Sequence, residues 1–315
     1  MRLKLLNEVD KITIQTLQDN YIDISALDNN AIVTRGAVQL KSSILAEHGF
    51  SAIVKTMKGD MMRSMLIDFG FSEGGAAMNA LTLGIDMQSL EAAALSHGHI
   101  DHFGGMEKLA ALIGKKNIPL AVHPAAFRNH RFLKVRNTCI DFPEFTREKA
   151  QAAGFKIIET THPYPLLDGD VLFLGEIPRK NDFEKGFPMA FFKENGFEKF
   201  DPTEDDTSIV MNLKGKGLVI ISGCAHSGII NTIHHAIEVT GVPQVYLVMG
   251  GFHLSGPLFE PLINRTTEEL KKINPTFVIP THCTGRKAIS TIEKEMPAQF
   301  ILNMSGTTLN IPPTY

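Results

Sequence analysis

The chain has 315 residues, of which 43% are hydrophobic and 21% charged, with a formal net charge of −3. The weak negative charge argues against a nucleic-acid partner, and no apolar run approaches the roughly 18 residues of a membrane span. Three cysteines (Cys139, Cys224 and Cys283) form no even disulfide framework, and the first residues lack the apolar core of a signal peptide. We therefore expect a cytoplasmic protein with a small-molecule substrate, no membrane association and the possibility of a homo-oligomer.

Hydrophobic periodicity predicts strands alternating with helices along the whole chain. Strands are predicted at 12–16, 52–57, 64–68, 90–96, 118–122, 156–161, 171–176, 209–213, 218–221, 245–249, 277–279 and as a final pair near 299–311. Helices are predicted at 73–83, 106–113, 229–239 and 258–273, and from residue 287 onward. We expect three of the strand pairs to be hairpins, namely 52–57 with 64–68, 156–161 with 171–176, and 209–213 with 218–221.

One segment, about 177–206, shows no periodicity and is rich in Phe, Lys, Glu and Gly. Long irregular segments in compact domains are usually functional, so it is either a surface insertion or a lid over a pocket. Its phenylalanines could form a dry aromatic lid or pack the insertion itself. No linker or low-complexity stretch interrupts the chain, which predicts a single domain over residues 1–315.

Three histidines and an aspartate fall within six positions, as His97, His99, Asp101 and His102, directly after a predicted strand. Neutral imidazoles together with a carboxylate suit a borderline divalent cation. In extended backbone His97 and His99 point to the same side, while the next two residues can reach a second point. That is the arrangement of a two-metal site, with ions ~3.5–4 Å apart. The alternative interpretation is a helix N-terminus capped by Asp101, with the histidines exposed by accident. It accounts less well for four ligand-type residues at this spacing.

Four more candidates, Cys224, His226, His253 and His282, each follow an apolar strand and lie near glycine. Loops at strand ends form the ligand sites of α/β proteins, so these side chains could converge on the first motif. The expected cofactor is one or two divalent ions per chain. Zinc is the first choice, and manganese, magnesium and iron are alternatives.

The segment from Ser96 to Gly105 resembles the HxHxDH signature of the metallo-β-lactamase superfamily. The resemblance implies an α/β fold, the metallo-β-lactamase-like αββα sandwich, with metal ligands on loops along one edge. It places His282 where the last metal histidine lies, and it implies that Asp68 steadies the metal loop by hydrogen bonding.

The chain departs from the superfamily pattern in two places. Cys224 stands where an aspartate usually bridges the two metals, and Asp205-Asp206 stand where a histidine usually precedes the hairpin. His226 is then the substitute ligand. The resemblance thus implies the metal ligands His97, His99, Asp101, His102, His226 and His282, with one strong and one weak cation site as a possible outcome.

Four further segments narrow the resemblance; they are residues 46–49, 222–228, 250–254 and 280–285. Together they resemble the 7,8-dihydropterin-6-yl-methyl-4-(β-D-ribofuranosyl)aminobenzene 5′-phosphate synthase family. This implies a metal-dependent enzyme acting on a phosphate- or pyrophosphate-bearing substrate. In that family's reaction, an arylamine riboside phosphate displaces pyrophosphate from a dihydropterin-methyl pyrophosphate.

Candidate roles follow from this reaction. Catalytic candidates are Asp101, Cys224 and His253; substrate-binding candidates are His123, Arg131, Arg179, Lys180 and His253. The arginine and lysine side chains would contact phosphate, and the histidines would orient the substrate or transfer protons. The basic cluster around Arg131 could equally be a solvated face.

Two alternatives remain open. One is a hydrolase in which a metal-bound hydroxide, oriented by Asp101, attacks a phosphoester, thioester or lactone. The other is a non-catalytic or redox protein that binds iron through Cys224 and Cys283.

Overall fold

The computed structural model describes residues 5–26, 28–36 and 43–312. The strands are β1 (Glu8–Val9), β2 (Lys11–Gln18), β3 (Val33–Thr34), β4 (Ser51–Lys58), β5 (Met61–Ile67), β6 (Ala92–Ala94), β7 (Ile118–Val122), β8 (Arg131–Val135), β9 (Thr138–Asp141), β10 (Phe155–Glu159), β11 (Tyr164–Leu166), β12 (Val171–Phe173), β13 (Ala190–Glu194), β14 (Phe197–Phe200), β15 (Ser208–Leu213), β16 (Gly217–Ser222), β17 (Val245–Gly251), β18 (Phe277–Thr281) and β19 (Thr308–Ile311). The helices are α1 (Gly75–Thr82), α2 (Ile100–Phe103), α3 (Met106–Ile113), α4 (Arg147–Ala152), α5 (Ile229–Thr240), α6 (Ile263–Ile273) and α7 (Arg286–Glu295).

Two sheets form the centre of the molecule. The first has the order β10-β7-β6-β5-β4-β2-β19-β3. The second has the order β11-β12-β15-β16-β17-β18, and β1 pairs with β15. Strand β2 alternates between partly and fully buried residues over most of its length, whereas β15 and β16 are buried throughout. Continuous burial is expected for strands covered on both faces.

The core has three parts, which define four layers. Between the sheets, Ile14 and Val54 of the first pack with Met211 and Ile221 of the second. Helices α1 and α3 cover the outer face of the first sheet through residues such as Leu109. Helices α5, α6 and α7 cover the outer face of the second sheet. This is the αββα sandwich that the sequence predicts.

Parallel pairing places the functional loops at one edge. Strands β5, β6 and β7 run parallel to one another in the first sheet, as do β16, β17 and β18 in the second. Parallel neighbours end at the same edge of a sheet, so the loops that follow them are brought together.

A third, four-stranded sheet has the order β14-β13-β8-β9. It joins two distant parts of the chain, because β13 pairs antiparallel with β8. The segment 177–206 therefore carries a hairpin, β13 and β14, which packs on residues 131–141. Every residue of β9 and β14 is exposed. That the chain is a single domain stays a prediction.

The structure corrects two predicted pairings. The ranges 156–161 and 171–176 do not form a hairpin, because β10 pairs with β7 in the first sheet while β12 belongs to the second. Local alternation cannot show which sheet a strand joins. Near 299–311 only β19 forms within the described residues, and Phe300 makes a single bridge to Val278. In contrast, α3 and β7 begin and end at the predicted residues. In the described ranges, no helix has the length and apolar character needed to cross a membrane.

Candidate metal centre

The predicted ligands follow strand ends at one edge of the two sheets. After β6 in the first sheet, His97 and His99 lie in a loop, and Asp101 and His102 lie in the short helix α2. The second sheet supplies Cys224 and His226 after β16, His253 after β17 and His282 after β18. The donor atoms of these residues form groups in which all members lie within 4.8 Å of one another. The site is thus built from both halves of the sandwich.

The first group, called the three-histidine group, consists of His97, His99 and His226. His97 Nε2 and His226 Nε2 lie 3.2 Å apart. His99 Nε2 is buried and has no hydrogen-bond partner among the described residues. Burial lowers the pKa of all three imidazoles, that of His99 to about 3, so each ring is neutral at pH 7 and offers a lone pair. Converging buried nitrogen lone pairs fit a divalent cation.

The second group, called the mixed group, consists of Asp101, His102, Cys224 and His282. His102 Nε2 lies 3.2 Å from Cys224 Sγ, and His282 Nε2 lies 3.1 Å from Asp101 Oδ2. Burial lowers the pKa of His102, but the carboxylates of Asp101 and Asp68 outweigh it and raise that pKa to about 9. Burial also raises the pKa of the Cys224 thiol well above its usual range. A divalent cation would favour the thiolate and the neutral imidazole, which are the ligand forms.

Asp68 lies beneath the first motif, where the resemblance places it. Its Oδ2 accepts a hydrogen bond from His102 Nδ1 at 2.6 Å, and its Oδ1 accepts one from the Ser96 amide at 2.7 Å. The bond to Nδ1 leaves His102 Nε2 directed at the mixed group. Such carboxylate–histidine pairs fix the tautomer and orientation of metal-binding histidines.

Sequence reasoning missed a second support, which holds His282. The His282 amide donates to Asp19 Oδ1 at 2.9 Å, and His282 Nδ1 lies 3.1 Å from Asn20 Oδ1. Asn20 Nδ2 also donates to Nδ1 of His48, whose Nε2 lies 3.6 Å from Asp101 Oδ2. The available signal was the position of Asp19-Asn20, which directly follow a strand as the other site residues do.

Asp205 and Asp206, which stand in place of the usual histidine, belong to none of the groups of converging donor atoms found among the described residues. Instead, Asp205 Oδ2 accepts a hydrogen bond from the Gly98 amide at 2.8 Å, between two metal-ligand candidates. Asp206 Oδ2 accepts one from the Ser227 amide at 2.9 Å, next to His226. Both carboxylates are fully buried. They hold the two loops that bring the three-histidine group together.

Four residues around the centre have left-handed backbone conformations without being glycine. They are Asp68 (φ 55°), Ala225 (φ 53°), His253 (φ 44°) and His282 (φ 47°). Such conformations cost free energy and persist only where the surroundings enforce them, and they cluster at functional sites. Each of the four lies in a loop that builds the centre.

Aromatic rings flank the three-histidine group. Phe142 stacks on His99 with centroids 4.5 Å apart, and Phe187 stacks on His226 with centroids 5.4 Å apart. Phe187 also meets the ring of His253 edge-on. A pocket beside these rings is lined by Gly186, His226, Phe252, His253, Leu254 and Phe259, among others. The segment 177–206 thus borders the centre through Phe187, whereas its Phe197 and Phe200 are exposed.

Arg131, predicted as a phosphate contact or part of a solvated face, is neither a free cation nor exposed. Its guanidinium is buried and donates two hydrogen bonds to Asp205, at 2.9 and 2.6 Å. It also forms an ion pair with Asp201 at 2.7 Å. A run of basic residues carries no information about carboxylates about 70 positions away, so this pairing could not be predicted from the sequence.

The other predicted substrate contacts are also engaged outside the two groups. Arg179 donates to the Pro202 carbonyl, and the exposed Lys180 pairs with Glu238. His123 is buried; its Nδ1 accepts from the Ala125 amide at 3.1 Å, and its Nε2 lies 3.7 Å from Glu176. His253, in contrast, lies in contact with His226, with ring centroids 4.3 Å apart.

Comparison with known proteins agrees with this geometry. The sequence profile of the metallo-beta-lactamase superfamily matches residues 53–231, which is more than half of the chain. The chain belongs to the metallo-β-lactamase superfamily. The predicted superfamily and its αββα fold class are thereby confirmed, and membership implies a metal-dependent enzyme that binds divalent cations.

Two relatives come from Methanocaldococcus jannaschii. The 7,8-dihydropterin-6-methyl-4-(β-D-ribofuranosyl)-aminobenzene-5′-phosphate synthase is 29% identical over 310 residues, covering 94% of this chain and 95% of the relative. An uncharacterized protein is 31% identical over 253 residues, covering 79% of this chain and 88% of the relative. The predicted resemblance to the synthase is confirmed, and the similarity extends over nearly the whole of this chain.

Among solved structures, a metal-dependent hydrolase of the β-lactamase superfamily superposes with a TM-score of 0.72. The two sequences are 23% identical, and the match covers 96% of this chain and 99% of the other. At this identity the likeness shows the shared fold.

Proposed function

We propose that the protein transfers a dihydropterin-methyl group from its pyrophosphate ester to an arylamine riboside phosphate, releasing pyrophosphate. The observation that carries this proposal is the pair of adjacent ligand groups, three-histidine and mixed, in a chain related to the synthase over 94% of its length. We propose zinc as the cofactor, because imidazole and thiolate are ligands that zinc accepts. The carboxylate of the mixed group also suits manganese.

The donor set fits divalent cations, which would stabilise the negative charge that develops on a departing pyrophosphate. Asp101 lies on the open side of the mixed group, where its side chain is 14% exposed. Next to it, His48 accepts from Asn20 at Nδ1 and so carries its proton at Nε2, facing Asp101. This pair can hold a proton for a leaving group that approaches from the open side.

The aromatic surroundings support a flat substrate. The pocket beside His226 and His253 is lined by Phe252 and Phe259 together with the polar residues Glu184 and Lys185. Stacking and edge contacts with such rings favour a planar heterocycle. A transferase must also keep water away from the reactive methylene, and rings packed around the bound substrate would do so.

A hydrolase is the second candidate, and one observation favours it. The side chain of His48 is 60% exposed, so the side of the mixed group that carries Asp101 is open to solvent. A hydrolase must admit water at this point, whereas a transferase must exclude it during the reaction.

The two candidates are separated by one assay on protein reconstituted with zinc or manganese. Dihydropterin-methyl pyrophosphate is supplied with and without the arylamine riboside phosphate, and released pyrophosphate is measured while mass spectrometry identifies the pterin product. A transferase releases pyrophosphate only with the amine and forms the coupled product. Release at the same rate without the amine indicates the hydrolase. If neither condition releases pyrophosphate, both assignments for this substrate fail; His99→Ala protein is the inactive control.

A further inference from the structure

Cys224 and His226 belong to more than one set of converging donor atoms. Each is a member of a group described above, the mixed group for Cys224 and the three-histidine group for His226. Together with His253 they form another set, in which one donor atom from each residue lies within 4.8 Å of the others. His253 belongs to neither of the first two groups.

Two buried nitrogens in this third set lack a hydrogen-bond partner in the described part of the chain. They are Nδ1 of His226 and Nδ1 of His253. The two rings are in contact, with centroids 4.3 Å apart. A buried polar atom without a partner is rare and calls for an ion or a water. Here the two atoms belong to residues whose donor atoms converge with a buried thiol.

Cys283 adds a second sulfur to this neighbourhood. Its Sγ lies 3.5 Å from the Cys224 carbonyl oxygen, and its thiol interacts with the imidazole of His253. Gly251 makes this packing possible, because a Cβ at that position would lie 2.4 Å from Cys283 Sγ and 3.2 Å from Cys224 Cα. No carboxylate is part of the third set.

We propose that Cys224, His226 and His253 form a third cation position, selective for thiophilic ions, with Cys283 beside it. A thiolate with two imidazoles is a soft to borderline donor set, which favours zinc, cadmium or copper over manganese and magnesium. Because Cys224 and His226 are shared, an ion here competes with ions in the other two groups. The position does not depend on which reaction the enzyme performs.

Cadmium binding tests the third position directly, because a cadmium–thiolate bond gives an ultraviolet charge-transfer band. Cys224 also belongs to the mixed group, so that group is first disabled by the double substitution His102→Ala/His282→Ala. The full-length apo-protein is titrated with Cd²⁺ in the presence of excess Mn²⁺. We expect the band to persist in this background, since His226 and His253 still hold the ion.

Adding His253→Ala to the same background should raise the Cd²⁺ dissociation constant by at least about 100-fold, the upper end of the effect of losing an outer-sphere support. His162→Ala is the matched control, because His162 is an exposed histidine in a loop and should leave the titration unchanged. A band that is already lost in the double variant, or one that survives His253→Ala, would overturn the proposal. Asp101→Asn/His282→Ala is a second background, with folding checked by circular dichroism.

Discussion

The three-histidine group and the mixed group lie side by side, but they differ in charge and surroundings. The first contains only neutral imidazoles and is flanked by the rings of Phe142 and Phe187. The second contains Asp101, has Asp68 behind it and opens towards solvent at His48. Their supports differ too. Asp205 holds the backbone of the first group at Gly98, whereas Asp68 and Asn20 hold the rings of the second.

We propose that this difference gives the two groups separate tasks. Neutral imidazoles retain a borderline cation without changing the local charge, whereas a carboxylate-containing group also accepts harder ions. The apolar side suits the binding of a ring, and the charged, open side suits proton transfer. Substitutions that affect one group at a time test this division.

The largest effect is expected for Asp205→Ala, which leaves the guanidinium of Arg131 buried with one partner fewer. Breaking a buried ion pair costs about 3–5 kcal/mol, which we expect to find in chemical unfolding. Cation binding by the three-histidine group should weaken as well, because the Gly98 amide loses its acceptor.

The double variant Arg131→Met/Asp205→Leu separates these two consequences. Apolar replacement of both partners should recover much of the stability, because Asp201 loses Arg131 but keeps its ion pair with Arg128. It cannot restore the hydrogen bond to Gly98, so the affinity of the three-histidine group should stay low. Recovery of both properties together would show that Asp205 acts on the centre through stability alone.

The next largest effect is expected for His97→Ala, which removes a ligand candidate of the three-histidine group. Cation affinity there should fall by more than the roughly 10–100-fold that loss of an outer support costs. Elemental analysis should show that one ion is lost while the mixed group keeps its own. Unchanged metal content in both His97→Ala and His99→Ala would contradict the site assignment.

Asn20→Ala should have a smaller effect than His97→Ala, and it should affect the mixed group instead of the three-histidine group. It removes the acceptor for His282 Nδ1, so affinity should fall about tenfold, and only in the mixed group. Asn310→Ala is a matched control, since that side chain contacts Thr34 in the first sheet. Competition titrations with a chromophoric chelator measure both steps; a change in the three-histidine step would contradict the separate supports.

The smallest effect is expected for Lys180→Ala. Its ion pair with Glu238 is exposed, and such pairs contribute about 0–1 kcal/mol. Metal content and activity should match those of the unsubstituted protein. A clear rise in KM would show that Lys180 reaches the substrate after all.

The local part of the site could be predicted from the sequence, and the non-local part could not. His97, His99, Asp101 and His102 lie within six positions, so their convergence needs only a strand end and a turn. The ring of Phe142 on His99, however, depends on the loop after β9 in the third sheet. The hydrophobic periodicity of either segment contains no information about a contact between them.

The same limit applies to the fold. Strands such as β7 are predicted from their own composition, but the partner of β10 is β7, a strand more distant in the chain than the predicted hairpin partner. The sequence around Arg131 is typical of a surface cation. The carboxylates that pair with it, Asp201 and Asp205, lie far away in the chain. Burial and partners are properties of the assembled sandwich.

The position of β19 has a consequence for the order in which the molecule is made. This strand lies between β2 and β3, so the first sheet remains incomplete until residues 308–311 have been synthesised. Just before it, Asn303 and Ser305 hydrogen-bond Asp19, which in turn holds His282. All the metal-ligand candidates leave the ribosome before that network can form. We therefore expect cation loading of the mixed group to be a late step, and the long-range pairing of β19 with β2 to slow folding.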